Sequence, residues 1–294
     1  MKWVHLGRPT EKELDWLKKT YHFHPIIIDE LRGPSARARI ETNSNYLYLI
    51  YYFPLYDPNE RVSTRSEIDF LITKKEVITV CYDKNEVLEG LLTTLNPKTR
   101  VFSDTLQLTH KLLESLLSFQ QRQLVHIREK IDRISTELFR ERERERERTL
   151  LESISYLKRD ISQYRIIIKP QKHILTSFFE NGCSFLGPTC QIYMNDLLGE
   201  HMKVIDQLED YRQAIEDFEA TNNQLINLKN IQVTKTFTIL AFLTFPLMLF
   251  AALFSMDVGG VPLAAHPFGF WIILAVMIVA MAGMFAYFRK KDWI

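Results

Sequence analysis

Two apolar runs close the chain and constrain everything else it can fold into. Thr236 to Met256 is 21 residues without a charged side chain, and Val258 to Phe288 adds 31 more, interrupted by VGGVPLAAHP. Trimmed, each run is near the ~20 residues that cross the ~30 Å hydrocarbon core of a bilayer as a helix. The competing reading, two buried core helices, asks a soluble domain to hide both runs at one end with a short connection between them. The pattern therefore predicts two membrane spans. Pro246 inside the first is a tolerated kink, since neighbouring helices can satisfy the freed carbonyl.

The flanks orient the spans. Lys229 and Lys235 precede the first, Arg289-Lys290-Lys291 follow the second, and the connecting loop has no Lys or Arg. The positive-inside rule places both termini and the large N-terminal part in the cytoplasm, in an inner-membrane protein with two spans. The N-terminal MKWVHLGRPTEKELDW has no apolar region of the kind a signal peptide needs. Three cysteines, Cys81, Cys183 and Cys190, fit a reducing compartment. The spacing Cys183-x6-Cys190 is not that of a metal finger, so both are expected as core or loop thiols.

Residues 1–235 carry 34 basic and 34 acidic side chains, a balanced, solvated surface that gives no reason to expect nucleic-acid binding. The alternating Arg and Glu of Arg140 to Arg148 are likewise expected as a solvated helix turn rather than a phosphate-binding patch.

Residues 2–6 predict a short strand, and Thr10-x-x-Glu13 a capping box opening a helix to about Thr20. Tyr46 to Phe53 reads as a buried strand ended by Pro54, with a turn at Tyr56-Asp57-Pro58-Asn59. Glu67–Thr73 and Glu76–Cys81 predict a hairpin around Lys74-Lys75, giving an α/β domain with a central sheet. From Ser103 the period becomes helical. One seam runs Leu113, Leu117, Gln120, Leu124, Ile127, Ile131, Ile134, Leu138, and a second runs Leu150, Ile154, Leu157, Ile161, Tyr164, Ile168. Asn181-Gly182 and Gly187-Pro188 are expected to break the helices. A third seam, Val204 to Leu225, runs without a strong breaker into the first span, so one helix is predicted from about Ile192 to Met256. At 1.5 Å per residue it would be about 100 Å long, and such a rod needs partners that a single chain scarcely supplies.

This architecture resembles the CorA family of divalent-cation channels, including its ZntB-like branch. The likeness is carried by His24-Pro25-Ile26-Ile27-Ile28-Asp29-Glu30-Leu31, Arg39-Ile40-Glu41, Tyr46-Leu47-Tyr48-Leu49, Glu137-Leu138-Phe139, Leu157-Lys158-Arg159, Tyr193-Met194-Asn195-Asp196 and the basic ending Tyr287 to Ile294. It implies a homopentameric funnel: an α/β cytoplasmic domain, a long helical stalk and two C-terminal transmembrane helices. On that pattern residues 1–102 are the cytoplasmic α/β domain, 103–190 paired cytoplasmic helices, and 191–256 a stalk helix continuing into the first span at 236–256. Residues 257–267 are a short external loop, 268–288 the second span and 289–294 a basic cytoplasmic tail.

The resemblance also implies that the transported ligand is a divalent cation; the sequence shows no phosphate-cradling Gly loop, nucleophile elbow or metalloprotease helix, so neither an enzyme nor a cofactor is expected. It places the pore mouth on the family's Gly-Met-Asn triplet, where this chain has Ser255-Met256-Asp257. An Asn ring offers amide oxygens without net charge, whereas an Asp257 ring attracts hard divalent ions more strongly. Met256 is expected to pack, and Ser255 to supply a hydroxyl or stand in for the small Gly. The competing role for Asp257 is a helix-end cap. Thr244, Met248 and Ala252 follow one helical face and line the pore or pack. Asp196 is implied as a ligand for regulatory cytoplasmic metal between subunits, with Glu89 as its partner. The competing role for Asp196 is compensation of the helix dipole. His266, His22 and His24 lack companion ligands. A CorA-like scaffold that no longer conducts is the other function this sequence accommodates.

Overall fold

The computed structural model of the chain describes residues 2–83, 89–90, 102–140, 144–255 and 267–291. These fall into two compact units, 1–219 and 220–294.

The first unit is built on a five-stranded mixed sheet in the order β1-β5-β4-β3-β2. The strands are β1 (Lys2–Gly7), β2 (Arg39–Thr42), β3 (Tyr46–Asp57), β4 (Val62–Thr73) and β5 (Glu76–Cys81). β1 pairs parallel to β5, with Trp3 opposite Val77, and the other pairs are antiparallel. Helices α1 (Glu11–Tyr21) and α2 (Pro25–Glu30) cover one face. The expected capping box opens α1: Thr10 N donates to Glu13 Oε2 at 2.7 Å, and Thr10 Oγ accepts from Glu13 N. His24 caps α2 in front of Pro25, whose missing N–H costs nothing at the first helical position.

β3 is apolar on both sides because both sides are covered. Tyr48, Ile50 and Tyr52 pack with Leu14, Leu17 and Ile27 under α1 and α2. Leu47, Leu49, Tyr51 and Phe53 pack on the opposite face against Leu112, Leu116, Phe178 and Met194. Those residues come from α3 (Thr105–Leu138), the turn at Phe178–Gly182 and the start of α7 (Cys190–Phe254). The three heptad-like seams then meet each other. Leu124, Ile127 and Ile131 of α3 join Leu157 and Ile161 of α4 (Arg144–Ile168) and Val204, Leu208 and Ile215 of α7. Tyr164 donates its hydroxyl to the Gln120 carbonyl at 2.9 Å, which ties the one polar member of the first seam into the second.

Four local expectations are corrected. Pro54 does not end β3, which continues to Asp57 opposite Val62. β2 pairs only through Arg39 to Thr42 opposite Ile50 to Leu47, so beyond Ile50 no strand borders the outer edge of β3, where the Tyr52 N–H donates to Gln171 Oε1 at 3.4 Å instead, and the missing N–H of Pro54 breaks no ladder. β4 begins at Val62 rather than Glu67, because the 62–66 stretch pairs with this same extension. Asn181-Gly182 does not break the helix. It lies in a π-helical turn (Phe178–Gly182) between α5 (Gln171–Ser177) and α6 (Cys183–Leu186), where a Cβ on Gly182 would stand 2.3 Å from the Phe178 ring. The stop comes at Gly187, with φ of +103°. That turn folds α6 onto the start of α7, and Cys183 and Cys190 form a disulfide with Cα atoms 5.2 Å apart, not separate thiols. The pairing distance is set by the turn, which spacing alone does not reveal.

β4 also buries two carboxyl groups on the α1/α2 side. Asp69 Oδ2 accepts from Tyr82 at 2.8 Å and from Tyr48 at 3.3 Å, and Glu67 accepts from the Ser35 backbone N–H at 2.8 Å. Burial pushes both carboxyls up, Asp69 well above the ordinary range, with the neighbouring Glu67 charge adding to it. Arg65 opposes the rise at Glu67. A carboxyl raised in the folded state binds more protons there than in the unfolded chain, so stability is highest at low pH and falls as pH climbs from the unfolded carboxylate range through the folded pKa. Asp69→Asn keeps an acceptor for both tyrosines and removes the buried charge. Thermal melts between pH 5 and 8 are expected to show a flatter slope and a higher midpoint at pH 8 than the native protein. An unchanged slope would show that Asp69 is not the group that titrates.

Candidate ion-conduction site

In the second unit the end of α7 accompanies α8 (Gly269–Lys290). Both are long and apolar enough to cross a bilayer. On α8, Ile273, Met277, Ala280, Met284 and Phe288 are half-buried at helical spacing, and the rings of Phe242 and Phe288 stand 6.4 Å apart. On α7, Ile239 is buried and Leu243 and Pro246 are half-buried. The remaining faces carry large apolar groups in the open, such as Phe237, Phe245, Trp271 and Val279 at 63–70% exposure. A water-soluble surface does not carry a contiguous apolar area of that kind, and lipid or further protein must cover it.

Thr244, Met248 and Ala252 lie on an exposed face of α7. At 100° per residue Thr244 and Met248 sit nearly opposite Pro246, which is among the positions least exposed. The Thr244 hydroxyl donates back to the Leu240 carbonyl at 2.9 Å, leaving its oxygen lone pairs available as acceptors. Helix α7 continues through Pro246 and ends at Phe254. Ser255 follows it, exposed, with its N–H donated to the Ala251 carbonyl at 3.0 Å. Met256, Asp257 and His266 lie outside the described residues.

Asp196, near the start of α7, is engaged within its own chain. Its Oδ2 accepts from His110 Nε2 of α3 at 2.9 Å, and the His110 ring packs edge-on to Tyr193 at 4.9 Å. The carboxylate remains 57% exposed, against 15% for the imidazole. His110 is the site neighbour that sequence reasoning missed. It falls 86 residues from Asp196, and only packing of α3 on α7 joins them. Glu89 is exposed and near His5, whose imidazole burial pulls down and the Glu89 charge partly pushes back up. Among the described residues the structure brings no contact between Glu89 and Asp196. Among those residues, no three His, Cys, Asp or Glu side chains gather closely enough to hold a metal ion. His201 on α7 is fully buried, and burial brings its imidazole down to about 4, so it stays neutral at cellular pH.

The chain resembles known transporters along nearly its whole length. It is 22% identical over 99% of its length to the cobalt/magnesium transport protein CorA of Methanocaldococcus jannaschii, covering 91% of that protein. With the protein of the same name from Thermotoga maritima it shares 21% identity over 93% of this chain and 78% of the other. The zinc transport protein ZntB of Pectobacterium carotovorum matches at 20% over 99% of this chain and 88% of its own length. Its fold superposes on the solved CorA magnesium transporter of Methanocaldococcus jannaschii with a TM-score of 0.87 at 20% identity, covering 99% of this chain and 91% of that one. On the full-length CmaX protein it superposes with 0.71 at 18%, covering 99% and 88%. With the family's sequence model matching residues 1–290, this chain belongs to the CorA-like Mg2+ transporter protein family and is a membrane protein with two C-terminal spans.

Proposed function

We propose that this protein is a homopentameric channel that passes divalent cations (Mg2+, or Zn2+, Co2+ or Ni2+) down their electrochemical gradient without ATP. Five α7 helices would line the pore and five Asp257 carboxylates its outer mouth. The observation that carries the proposal is the uncovered face of α7. Thr244, Met248 and Ala252 repeat along it, and a single chain offers that face no partner among its described residues. Relatives named for cobalt/magnesium and for zinc transport point to divalent ions as a class, and a carboxylate ring suits several of them. Lys229, Lys235 and Arg289 to Lys291 flanking a loop without Lys or Arg support an inner-membrane protein with both termini in the cytoplasm. Uptake of Mg2+, Co2+ and Zn2+ by liposomes holding the purified full chain tests the proposal. Absence of flux for all of them favours the non-conducting scaffold, which the Ser255-Met256-Asp257 departure from the family triplet also accommodates.

Asp196 is the proposed cytoplasmic regulatory ligand. One carboxylate beside one imidazole is half a metal site, and a second subunit would have to complete it, with Glu89 the candidate from across the interface. Metal that binds only the folded assembly stabilises it by about 2.7 kcal/mol at a hundred times its dissociation constant. Asp196→Ala is expected to remove most of the metal-dependent rise in melting temperature across a Co2+ or Mg2+ titration and to weaken closure at high internal metal. An unchanged rise would leave Asp196 as a helix-start residue paired with His110.

A further inference from the structure

Some guanidinium groups of the first unit face carboxylates: Arg32 meets Glu11 and Asp29, Arg39 meets Glu30 and Glu41, and Arg165 meets Glu209. Three arginines that share one groove make no such pair, although the charge of one of them, Arg65, acts on the buried Glu67. Arg37, from the segment between α2 and β2, Arg65 on β4 and Arg159 on α4 line a groove of about 700 Å³ that has no carboxylate in its wall. All three are exposed, and none makes an ion pair among the described residues. In a chain with 37 basic and 36 acidic side chains, three guanidinium groups on one wall without a carboxylate repel one another, and an anion held between them would relieve that repulsion.

The groove also has an apolar floor. Val62 is buried, Pro170 forms part of the wall, and Ile166 stands 64% exposed. Arg65 lies 4.5 Å over the ring of Tyr52, whose hydroxyl donates to the Ser35 carbonyl at 2.8 Å, so this guanidinium is seated on a ring that is itself pinned. Guanidinium forks match phosphate oxygens two at a time. The volume is that of a small-molecule pocket. The occupant this wall recognises carries several negative charges at one end and a flat apolar body at the other.

We propose that the groove binds a nucleoside polyphosphate, its phosphates held by Arg37, Arg65 and Arg159 and its base resting on Val62, Ile166 and Pro170. Such a ligand would bridge the α2–β2 segment, β4 and α4. The proposal is independent of ion conduction.

Calorimetry on the full chain in detergent, at physiological salt and without divalent metal, tests it with ATP, adenosine and inorganic tripolyphosphate. Saturable binding of ATP at one per chain is expected. Each of Arg37→Gln and Arg159→Gln should weaken it roughly tenfold, the size of one lost charge-assisted hydrogen bond. Arg159→Lys should recover only part of that loss, since it keeps charge without the fork. Adenosine should bind at least about a hundredfold more weakly than ATP, having no group for the arginines, and tripolyphosphate about tenfold more weakly, having no base. Arg128→Gln, which removes an exposed arginine paired with Asp132 away from the groove, should leave ATP binding unchanged. Absence of saturable ATP binding overturns the proposal, as does equal weakening by Arg128→Gln. Equal affinity for tripolyphosphate and ATP overturns the nucleotide assignment. If ATP does not bind and Arg37→Gln/Arg159→Gln lowers the oligomeric mass, the arginines belong to an interface between copies and the proposal falls.

Discussion

Asp257→Ala is expected to reduce divalent-cation flux into liposomes roughly tenfold or more, the lower end of what a focused field adds to local cation concentration and entry rate. Asp257→Asn restores the family's amide at nearly the same volume, so it isolates the charge. It should conduct better than Ala, because it keeps a ligand oxygen. Relative to the native protein it should show lower apparent affinity and a weaker dependence on ionic strength, since screening acts on the carboxylate ring and has little to act on in its absence. Acidification should inhibit the native protein by protonating the ring, and both variants should lack that component. Equal flux and equal pH response in all three proteins would reduce Asp257 to an exposed cap. Flux in none of them would favour the scaffold.

The largest stability effect is expected at Asp160. This carboxylate of α4 is 2% exposed. Its Oδ1 accepts from the Ser63 N–H at 2.8 Å and from the Ser63 hydroxyl at 2.7 Å, and Lys130 Nζ of α3 lies 3.8 Å from Oδ2. One side chain thus joins β4 to the helix pair. Asp160→Ala leaves a buried backbone donor and a buried hydroxyl without an acceptor, at a cost of about 2–4 kcal/mol. The lysine adds little, being substantially exposed and at the edge of ion-pair range. At roughly 2–4 °C per kcal/mol for a domain of this size, the midpoint should drop by about 4–16 °C. Asp160→Asn, which retains an acceptor for Ser63, should lose less than half of that. Ser63→Ala combined with Asp160→Ala should cost less than the sum of the two, because the groups share the interaction. A drop in Asp160→Ala no larger than that of Arg128→Gln, an exposed i,i+4 pair member, would remove the argument.

The corrections fall where a local rule met a tertiary fact. Pro54 reads as a strand end because proline lacks a donor, but whether the donor is needed depends on whether a neighbouring strand is present, and beyond Ile50 β2 is absent. Gly182 reads as a breaker, but a Phe178 ring filling the Cβ position makes it a packing glycine inside a helical turn. Cys183 and Cys190 have no recognisable spacing, and a disulfide arises because Gly187 turns one helix back on the next. Each is a question of what lies across from the residue, which no window of sequence contains.

The α3, α4 and α7 seams, the capping box at Thr10 and the two apolar spans were legible from the order of residues alone, because helix period, cap chemistry and bilayer thickness are set within the chain. The residues proposed for the pore rest on the family pattern alone: a triplet of Ser255, Met256 and Asp257 has no chemistry of its own until several copies face one axis. The tertiary structure decided what distance in sequence concealed. It set His110 on Asp196, joined Asp160 to Ser63, tied the buried Asp69 to Tyr48 and Tyr82 and the buried Glu67 to Ser35, and gathered Arg37, Arg65 and Arg159 around one groove. Periodicity reports the face a residue belongs to, whereas burial, charge pairing and ligand geometry depend on what is brought against that face, and only packing supplies it.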